Sequence, residues 1–332
     1  MPTAYQTRLA SWIAADPDNI AGFRNVKAKL DFLAEILYKE YLPTVAGTHG
    51  EFPYRLAKWL NSATAEDQMK LMFLLLDHLF FVGKSEFVSM YLTAYSQHIA
   101  QWILVGENIA VADPSAPQKV KDALASTLFT AVTESFNIGD FIRINSIQGV
   151  DIRFFWEPAL KINWDPNQFV RNAMQGKTRI VLLEDFVGSG SQMRRAVEEA
   201  CSLPNNPAVL LCPLIICPDG ADLARDLEAR FHNLTYRPVL ELAPHHFVRP
   251  TPGPAEPKLF REIRDLVTAL HPTVKGTTAW AQDYGPFGYG GKGGTGALIV
   301  KFDNCPDNTL PLIHHQSDTW EPLFFRVSRE VL

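Results

Sequence analysis

Two adjacent carboxylates, Glu184 and Asp185, follow an apolar run, Ile180-Val181-Leu182-Leu183, and lead into Phe186-Val187-Gly188-Ser189-Gly190-Ser191-Gln192. The apolar run has the length and continuity of a strand buried on both faces. The residues from Gln192 onward have the spacing of a helix. In a parallel sheet, ligands bind beyond the carboxyl ends of the strands. A glycine-containing loop there, with backbone N–H groups and a helix N-terminus, is a natural anion site. Glycines at 188 and 190 permit close approach of a ligand, and Ser189 and Ser191 add hydroxyl donors. Phosphate in the loop and carboxylates just before it suggest a phosphosugar, with the acids accepting hydrogen bonds from sugar hydroxyls. A pyrophosphate on the same ligand would bring Mg²⁺ as its counter-ion.

Other phosphate loops fit less well. A P-loop needs Gly-Lys-Ser/Thr, and this loop has no lysine. A dinucleotide fingerprint places its acid about 20 residues after the glycines, whereas here the acids come first. Gly188-Ser189-Gly190 is not the five-residue nucleophile elbow of hydrolases. The histidine pairs His245-His246 and His314-His315 are adjacent in sequence. On a strand such neighbours face opposite ways, so neither pair reads as a chelate. One imidazole could act as acid or base, but a structural role is the simpler reading. Arg194-Arg195 reads as a solvated helical face, Asp140 and Arg143 as site candidates on an early strand, and Trp156 and Trp164 as core.

The elements around the motif organise the chain. Helices are expected at about 5–14, 26–41, 64–83 and 86–105, the third apolar nearly all round and therefore central to a bundle. Thr64 and Asp67 resemble a capping box for that third helix. A linker with Pro114 and Pro117 precedes a helix expected at Val120–Glu134. Period-two alternation then predicts strands at Phe141–Ile144 and Ile152–Phe155. Strand, helix, strand, helix and strand follow at 180–183, 192–201, 208–216, 221–231 and 236–240, an alternation that argues for a parallel sheet. A proline-rich loop, a helix at Lys258–Leu270, a glycine-rich stretch from Gly285 to Gly296 and a strand at Ala297–Phe302 complete the chain. The glycine-rich stretch reads as a flap or as a long hairpin loop. Three consecutive regions result: a helical bundle (1–112), an α/β core (113–250) and a C-terminal hood or lid (251–332).

Composition sets outer bounds. Hydrophobic residues at 47% and charged residues at 20% are ordinary for a soluble globular chain. A net charge of −5 with no long basic run gives no broad surface for nucleic acid, leaving room only for a local patch. The four cysteines form no CxxC pair and read as reduced, buried thiols of a cytoplasmic protein. Charge from Arg8 onward interrupts any secretory signal, and the apolar stretch Leu71–Val82 is too short to span a bilayer, so no membrane association is expected.

The strand, acid pair and Gly-Ser loop resemble the phosphoribosyltransferase signature. The resemblance implies a type I phosphoribosyltransferase-like core. Glu184 and Asp185 would hold the ribose 2′- and 3′-hydroxyls, and Val187, Gly188, Ser189, Gly190, Ser191 and Gln192 the substrate's 5′-phosphate. Two positions depart from that pattern. Gly188 stands where purine-salvage members carry an acid that acts on the base, and Gln192 stands where Thr is usual. The motif, together with Pro286-Phe287-Gly288-Tyr289-Gly290 and Asn304-Cys305-Pro306-Asp307-Asn308-Thr309-Leu310-Pro311, resembles a branch of phosphoribosyltransferase-like proteins from bacterial conflict systems, including effectors encoded beside retron reverse transcriptases. That likeness implies a ligand such as phosphoribosyl pyrophosphate or a nucleotide, with Mg²⁺ as cofactor and transfer or cleavage at ribose C1. It also implies a role in anti-phage defence, with partner proteins of a reverse-transcriptase-type complex. Asn304 and Asn308 read either as turn residues or as hood residues on the substrate. A non-catalytic phosphosugar sensor, a partner-docking scaffold and self-association all stay open.

Overall fold

The computed structural model describes residues 2–45, 49–148, 155–156, 173–253, 256–277, 284–290 and 294–327. The chain folds as two compact units, one of residues 1–86 with 244–332 and the other of 87–243. This division differs from the three consecutive regions read from the sequence. Core burial joins the two chain ends, a pairing that local patterning does not report.

The first unit opens with helices α1 (Pro2–Ala15), α2 (Phe23–Ile36), α3 (Leu42–Val45), α4 (Phe52–Asn61) and α5 (Glu66–Leu75), then strand β1 (Phe80–Val82). Helix α2 buries Phe23, Val26 and Leu30 on one face. Helix α5 buries Met69, Met72, Phe73 and Leu75 and touches α2 and α4, which is the central position its all-round apolarity predicts. Its N-cap is Ala65, whose N–H donates to Gln68 Oε1 at 3.4 Å; alanine has no side-chain oxygen to complete a capping box, so the box suggested at Thr64 and Asp67 is replaced by this single bond. The helix also stops at Leu75 instead of reaching Gly83. Phe80–Val82 leaves it to pair in parallel with Ile299–Lys301, a partner more than 200 residues away that no local signal announces.

The second unit holds most of α6 (Lys84–Thr93), which passes through a π-helical turn at Ala94–Ile99 into α7 (Ala100–Gly106), and then α8 (Ala116–Ala125). Strand β2 (Thr127–Ala131) follows, then α9 (Ile138–Ile144), β3 (Arg179–Val187), α10 (Ser191–Cys201), β4 (Ala208–Ile216), α11 (Pro218–Arg230), β5 (Leu234–Tyr236) and β6 (Leu240–Glu241). The sheet is parallel, in the order β2-β3-β4-β5, with β6 also on β4.

Two expectations are corrected here. The helix expected at Val120–Glu134 ends at Ala125, and Thr-Leu-Phe-Thr-Ala forms a fully buried strand against β3. The strand expected at Phe141–Ile144 is helix α9, because Asn137 Oδ1 accepts the Asp140 N–H and caps it. Of the strand expected at Ile152–Phe155, Phe155 makes a parallel bridge to Ala131, and 152–154 lie outside the described residues. Trp156 is buried, as expected, and Trp164 lies outside the described residues.

Pro213 sits inside β4 without an N–H to give. Its carbonyl accepts from Val239, so in a parallel ladder the missing donor faces the same side. On that side the partner strand is broken into β5 and β6.

The first unit resumes with α12 (Lys258–Lys275), the short hairpin of β7 (Tyr284–Gly285) and β8 (Gly288–Tyr289), β9 (Ile299–Lys301) and α13 (Pro311–His314). Within the glycine-rich stretch, Gly285 to Tyr289 belong to this tight hairpin, and 291–293 lie outside the described residues. Side chains from the N-terminal helices reach C-terminal carbonyls. Trp59 Nε1 donates to Leu312 O at 2.6 Å, Arg55 Nη1 to Leu323 O at 2.9 Å, and the Tyr41 hydroxyl to Phe325 O at 2.5 Å. The stretch read as a hood thus shares one core with α1–α5.

Leu182, fully buried in β3, tests the sheet's contribution. Leu182→Ala is expected to lower stability by about 2–5 kcal/mol, measured as a reduced denaturant midpoint.

Candidate functional site

Three βα loops, those after β2, β3 and β4, meet at the carboxyl edge of the sheet in the second unit. Strand β3 does not end at the acids. It continues through Phe186 and Val187, which pair with Ile215 and Ile216 of β4. Glu184 and Asp185 are accordingly buried, at 4% and 3% exposure, instead of lying at an open loop mouth.

The loop after β2 supplies their hydrogen-bond donors. Thr133 N–H donates to Glu184 Oε2 at 2.9 Å. Thr133 Oγ1 donates to Glu184 Oε1 at 2.6 Å. Ser135 Oγ lies 2.9 Å from the same Glu184 oxygen and 2.6 Å from Asp185 Oδ1. The two hydroxyl oxygens are 2.7 Å apart. Burial, and then the neighbouring Asp185 charge, push the Glu184 carboxyl well above the ordinary carboxylate range, and the bonds from Thr133 and Ser135 only partly offset this.

Neither Thr133 nor Ser135 figures in the sequence reading. Their signal was the Thr-x-Ser spacing just past a strand. It was hidden because β2 was assigned to a helix, and so the loop was never placed at a carboxyl edge.

Beyond the acids the chain enters the proposed anion loop. Val187 O accepts the Cys217 N–H at 2.8 Å, which ties this loop to the one after β4. Ser189, Ser191 and Gln192 are exposed, Gly188 is half-buried and Gly190 is buried. Gly190 has φ +82°, a left-handed conformation, and forms the N-cap of α10 with no side chain of its own to cap it. Its carbonyl accepts the Arg194 N–H at 2.8 Å. Helix α11 packs tightly on the loop. A Cβ added at Gly220 would lie 2.6 Å from Gly188 O, and one at Gly190 would lie 2.9 Å from Leu223 Cδ2. Loop, left-handed glycine and helix N-terminus thus give a rigid backbone surface suited to an anion.

The remaining candidates fall elsewhere. Asp140 and Arg143 pair with each other at 2.8 Å on helix α9. Arg194 is exposed on α10. In the first unit, Asn304 Nδ2 donates to Val327 O while its Oδ1 accepts the N–H groups of Cys305 and Val327, so this side chain pins the C-terminal segment. His246 Nδ1 is 2.9 Å from His78 O, and His314 Nε2 is 3.1 Å from Thr309 O. Burial pushes His314 down to about 3 and His315 to about 4, so both imidazoles are neutral. Among the described residues, no group of three or more His, Cys, Asp or Glu side chains could hold a metal ion. None of the described helices is long and apolar enough to cross a membrane.

A family model described as PRTase-CE matches residues 56–326, most of the chain. No curated protein and no solved structure matches it.

Two outcomes follow from this geometry. Gly190→Ala forces a side chain into a left-handed conformation against Leu223 and is expected to cost about 1–2 kcal/mol in denaturant unfolding. Glu184, raised from 4.5 to about 8, binds its proton more tightly folded than unfolded. Its stabilisation is complete below the ordinary range and is lost as pH rises through about 8. Glu184→Gln is expected to flatten that fall, as read from urea midpoints across the same pH range.

Proposed function

Because the chain belongs to the PRTase-CE family of phosphoribosyltransferase-like conflict-system proteins, we propose that the carboxyl edge of its parallel sheet binds a ribose 5-phosphate ligand, phosphoribosyl pyrophosphate or a nucleotide, and transfers or cleaves at ribose C1. The observation that carries this reading is the acid pair at 184 and 185, followed within five residues by a left-handed glycine that opens a helix. Backbone N–H groups from Gly188 to Gln192, with the Ser189 and Ser191 hydroxyls, would receive the 5-phosphate. The acid pair would receive the sugar hydroxyls.

Departure of a group from C1 develops positive charge on the ring, which a buried negative charge beneath it stabilises. Holding both ends of the phosphosugar supplies the positioning. The chain offers no metal cage of its own among the described residues. Mg²⁺ would therefore be carried by the pyrophosphate oxygens, where it neutralises charge on the leaving group. The acceptor in this reading is a base, a macromolecular group or water. The biological setting is anti-phage defence, in which partner proteins such as a reverse-transcriptase-type complex restrain or direct the activity.

One observation favours a second reading. Gly188 offers no side chain to act on a base, and the loop that holds it is locked against Gly220. Such a site could bind the phosphosugar and signal to partners without turning it over.

Calorimetric titration with phosphoribosyl pyrophosphate and Mg²⁺, with pyrophosphate release followed in the same samples, separates these outcomes. Binding is expected in the parent chain and is expected to weaken at least tenfold in Asp185→Ala. Release of pyrophosphate supports transfer, and binding without release supports the sensor. No binding to the folded protein would overturn both readings.

A further inference from the structure

The contacts around the acid pair contain more oxygen atoms than hydrogens to join them. Four short O···O separations are present: Thr133 Oγ1 to Glu184 Oε1, Ser135 Oγ to Glu184 Oε1, Ser135 Oγ to Asp185 Oδ1, and Thr133 Oγ1 to Ser135 Oγ. A hydroxyl has one hydrogen to give. Thr133 uses its hydrogen on Glu184. Ser135 then has one hydrogen for two carboxylate oxygens, at 2.9 and 2.6 Å. With both acids ionised, one of these contacts is a bare approach of two acceptors in a buried place, an arrangement that costs free energy. A third hydrogen on Glu184 Oε1 removes that conflict between carboxylate and hydroxyl, although the contact between the Thr133 and Ser135 hydroxyl oxygens still holds none. Glu184 then donates to Ser135 Oγ, and Ser135 donates onward to Asp185 Oδ1. Each of the three contacts to a carboxylate now holds one hydrogen.

We propose that Glu184 and Asp185 share a single negative charge, that Glu184 is the protonated partner, and that Ser135 is the positioning residue that passes the hydrogen bond from Glu184 to Asp185. Thr133 fixes the outer side of Glu184 through its N–H and hydroxyl. Asp185 carries the charge. Among the described residues, the Asp185 charge acts on Glu184 together with the Thr133 and Ser135 hydroxyls and the Thr133 N–H. The sequence reading gave both acids the same task, whereas here they divide it. Glu184 is a neutral strut, and Asp185 is the anion that would receive a sugar hydroxyl. That last assignment rests on the phosphosugar reading of the site. The protonation does not.

The test reads the protons directly in the ligand-free protein. Glu and Asp side-chain carboxyl carbons are labelled with ¹³C, and Glu184→Gln and Asp185→Asn assign the two signals. The pH is then carried from about 5 to about 10, across the ordinary carboxylate range and above it. Glu184 is expected to remain mostly protonated at neutral pH. When it does titrate, the Asp185 signal is expected to move with it, because the Ser135 hydroxyl is then contested by two carboxylates. Ser135→Ala should reduce the coupling to the direct repulsion between the two acids, and Ser135→Thr, which keeps the hydroxyl, should restore it.

A Glu184 signal already ionised at neutral pH overturns the proposal. So does coupling that is undiminished in Ser135→Ala, since Ser135 would then only be filling space. If Ser135→Ala fails to fold, the parent titration still decides whether Glu184 holds the proton. A protonated Glu184 in a protein that binds no phosphoribosyl pyrophosphate would sink the ligand reading and leave this inference standing. Ligand binding by a protein with ionised Glu184 would do the reverse.

Discussion

The structure of the second unit depends on one constraint: β3 is buried on both faces and runs two residues past its acids. Parallel pairing with β2 on one side and β4 on the other hides Ile180 to Leu183 completely. Continuing that pairing to Val187 places Glu184 and Asp185 within the sheet edge, away from water. Buried carboxylates require donors, and the loop after β2 provides them because β2 is β3's neighbour. The register that buries the strand therefore also brings Thr133 and Ser135 to the acids. A slip of one residue would exchange the faces on which Glu184 and Asp185 stand.

The first unit solves a different problem, that of closing a core from the two ends of the chain. Its buried aromatics form one cluster in which Tyr38 and Phe324 contact each other and both Phe52 and Phe81, with ring centroids 4.5–5.8 Å apart. Arg55 lies buried over the rings of Tyr41, Phe52 and Phe324 and gives a hydrogen bond to Leu323 O. Burial lowers the pKa of this guanidinium to about 10. It remains a cation at neutral pH, held by ring faces and a carbonyl. The Asn304 and Pro306-Asp307 segment serves this closure. Its side chains pin the C-terminal stretch, and the Arg326 guanidinium pairs with Asp307.

How much of this was legible in sequence varies with the range of the interaction. The apolar run into β3, the Gly-Ser loop and the helix from residue 191 were readable because each is a local pattern. Strand β4 was readable with its bounds intact, since a nine-residue apolar run admits little else. Strand β2 was not, because five residues of Thr, Leu, Phe and Ala beside a helix fit either state, and only pairing with β3 decides. Helix α9 was misread because a four-residue alternation of apolar and polar residues is weaker evidence than the Asn137 cap just before it. Strand β1 and the joining of the two chain ends depend on contacts more than 200 residues apart, which no local period encodes. The acid pair itself was identified, but its burial and its donors were not, since both follow from β2.

An acid pair next to an anion site carries an electrostatic conflict. Two full charges at 184 and 185 would oppose a phosphate held a few residues away, and their mutual repulsion would be strongest where water is excluded. The surrounding backbone lessens the conflict from one side. Gly190 in its left-handed conformation and the start of α10 place N–H groups at the loop, where partial positive charge accumulates. The hydroxyls of Thr133 and Ser135 act from the other side by giving one added proton a place to sit. With one charge instead of two, the edge could bind an anion and still keep a negative group for a sugar or for positive charge developing on its ring. A site built this way becomes less hospitable to phosphate as pH rises and the added proton leaves, while the backbone N–H groups are unchanged. Its proton, more than its loop, then sets the conditions under which it can fill.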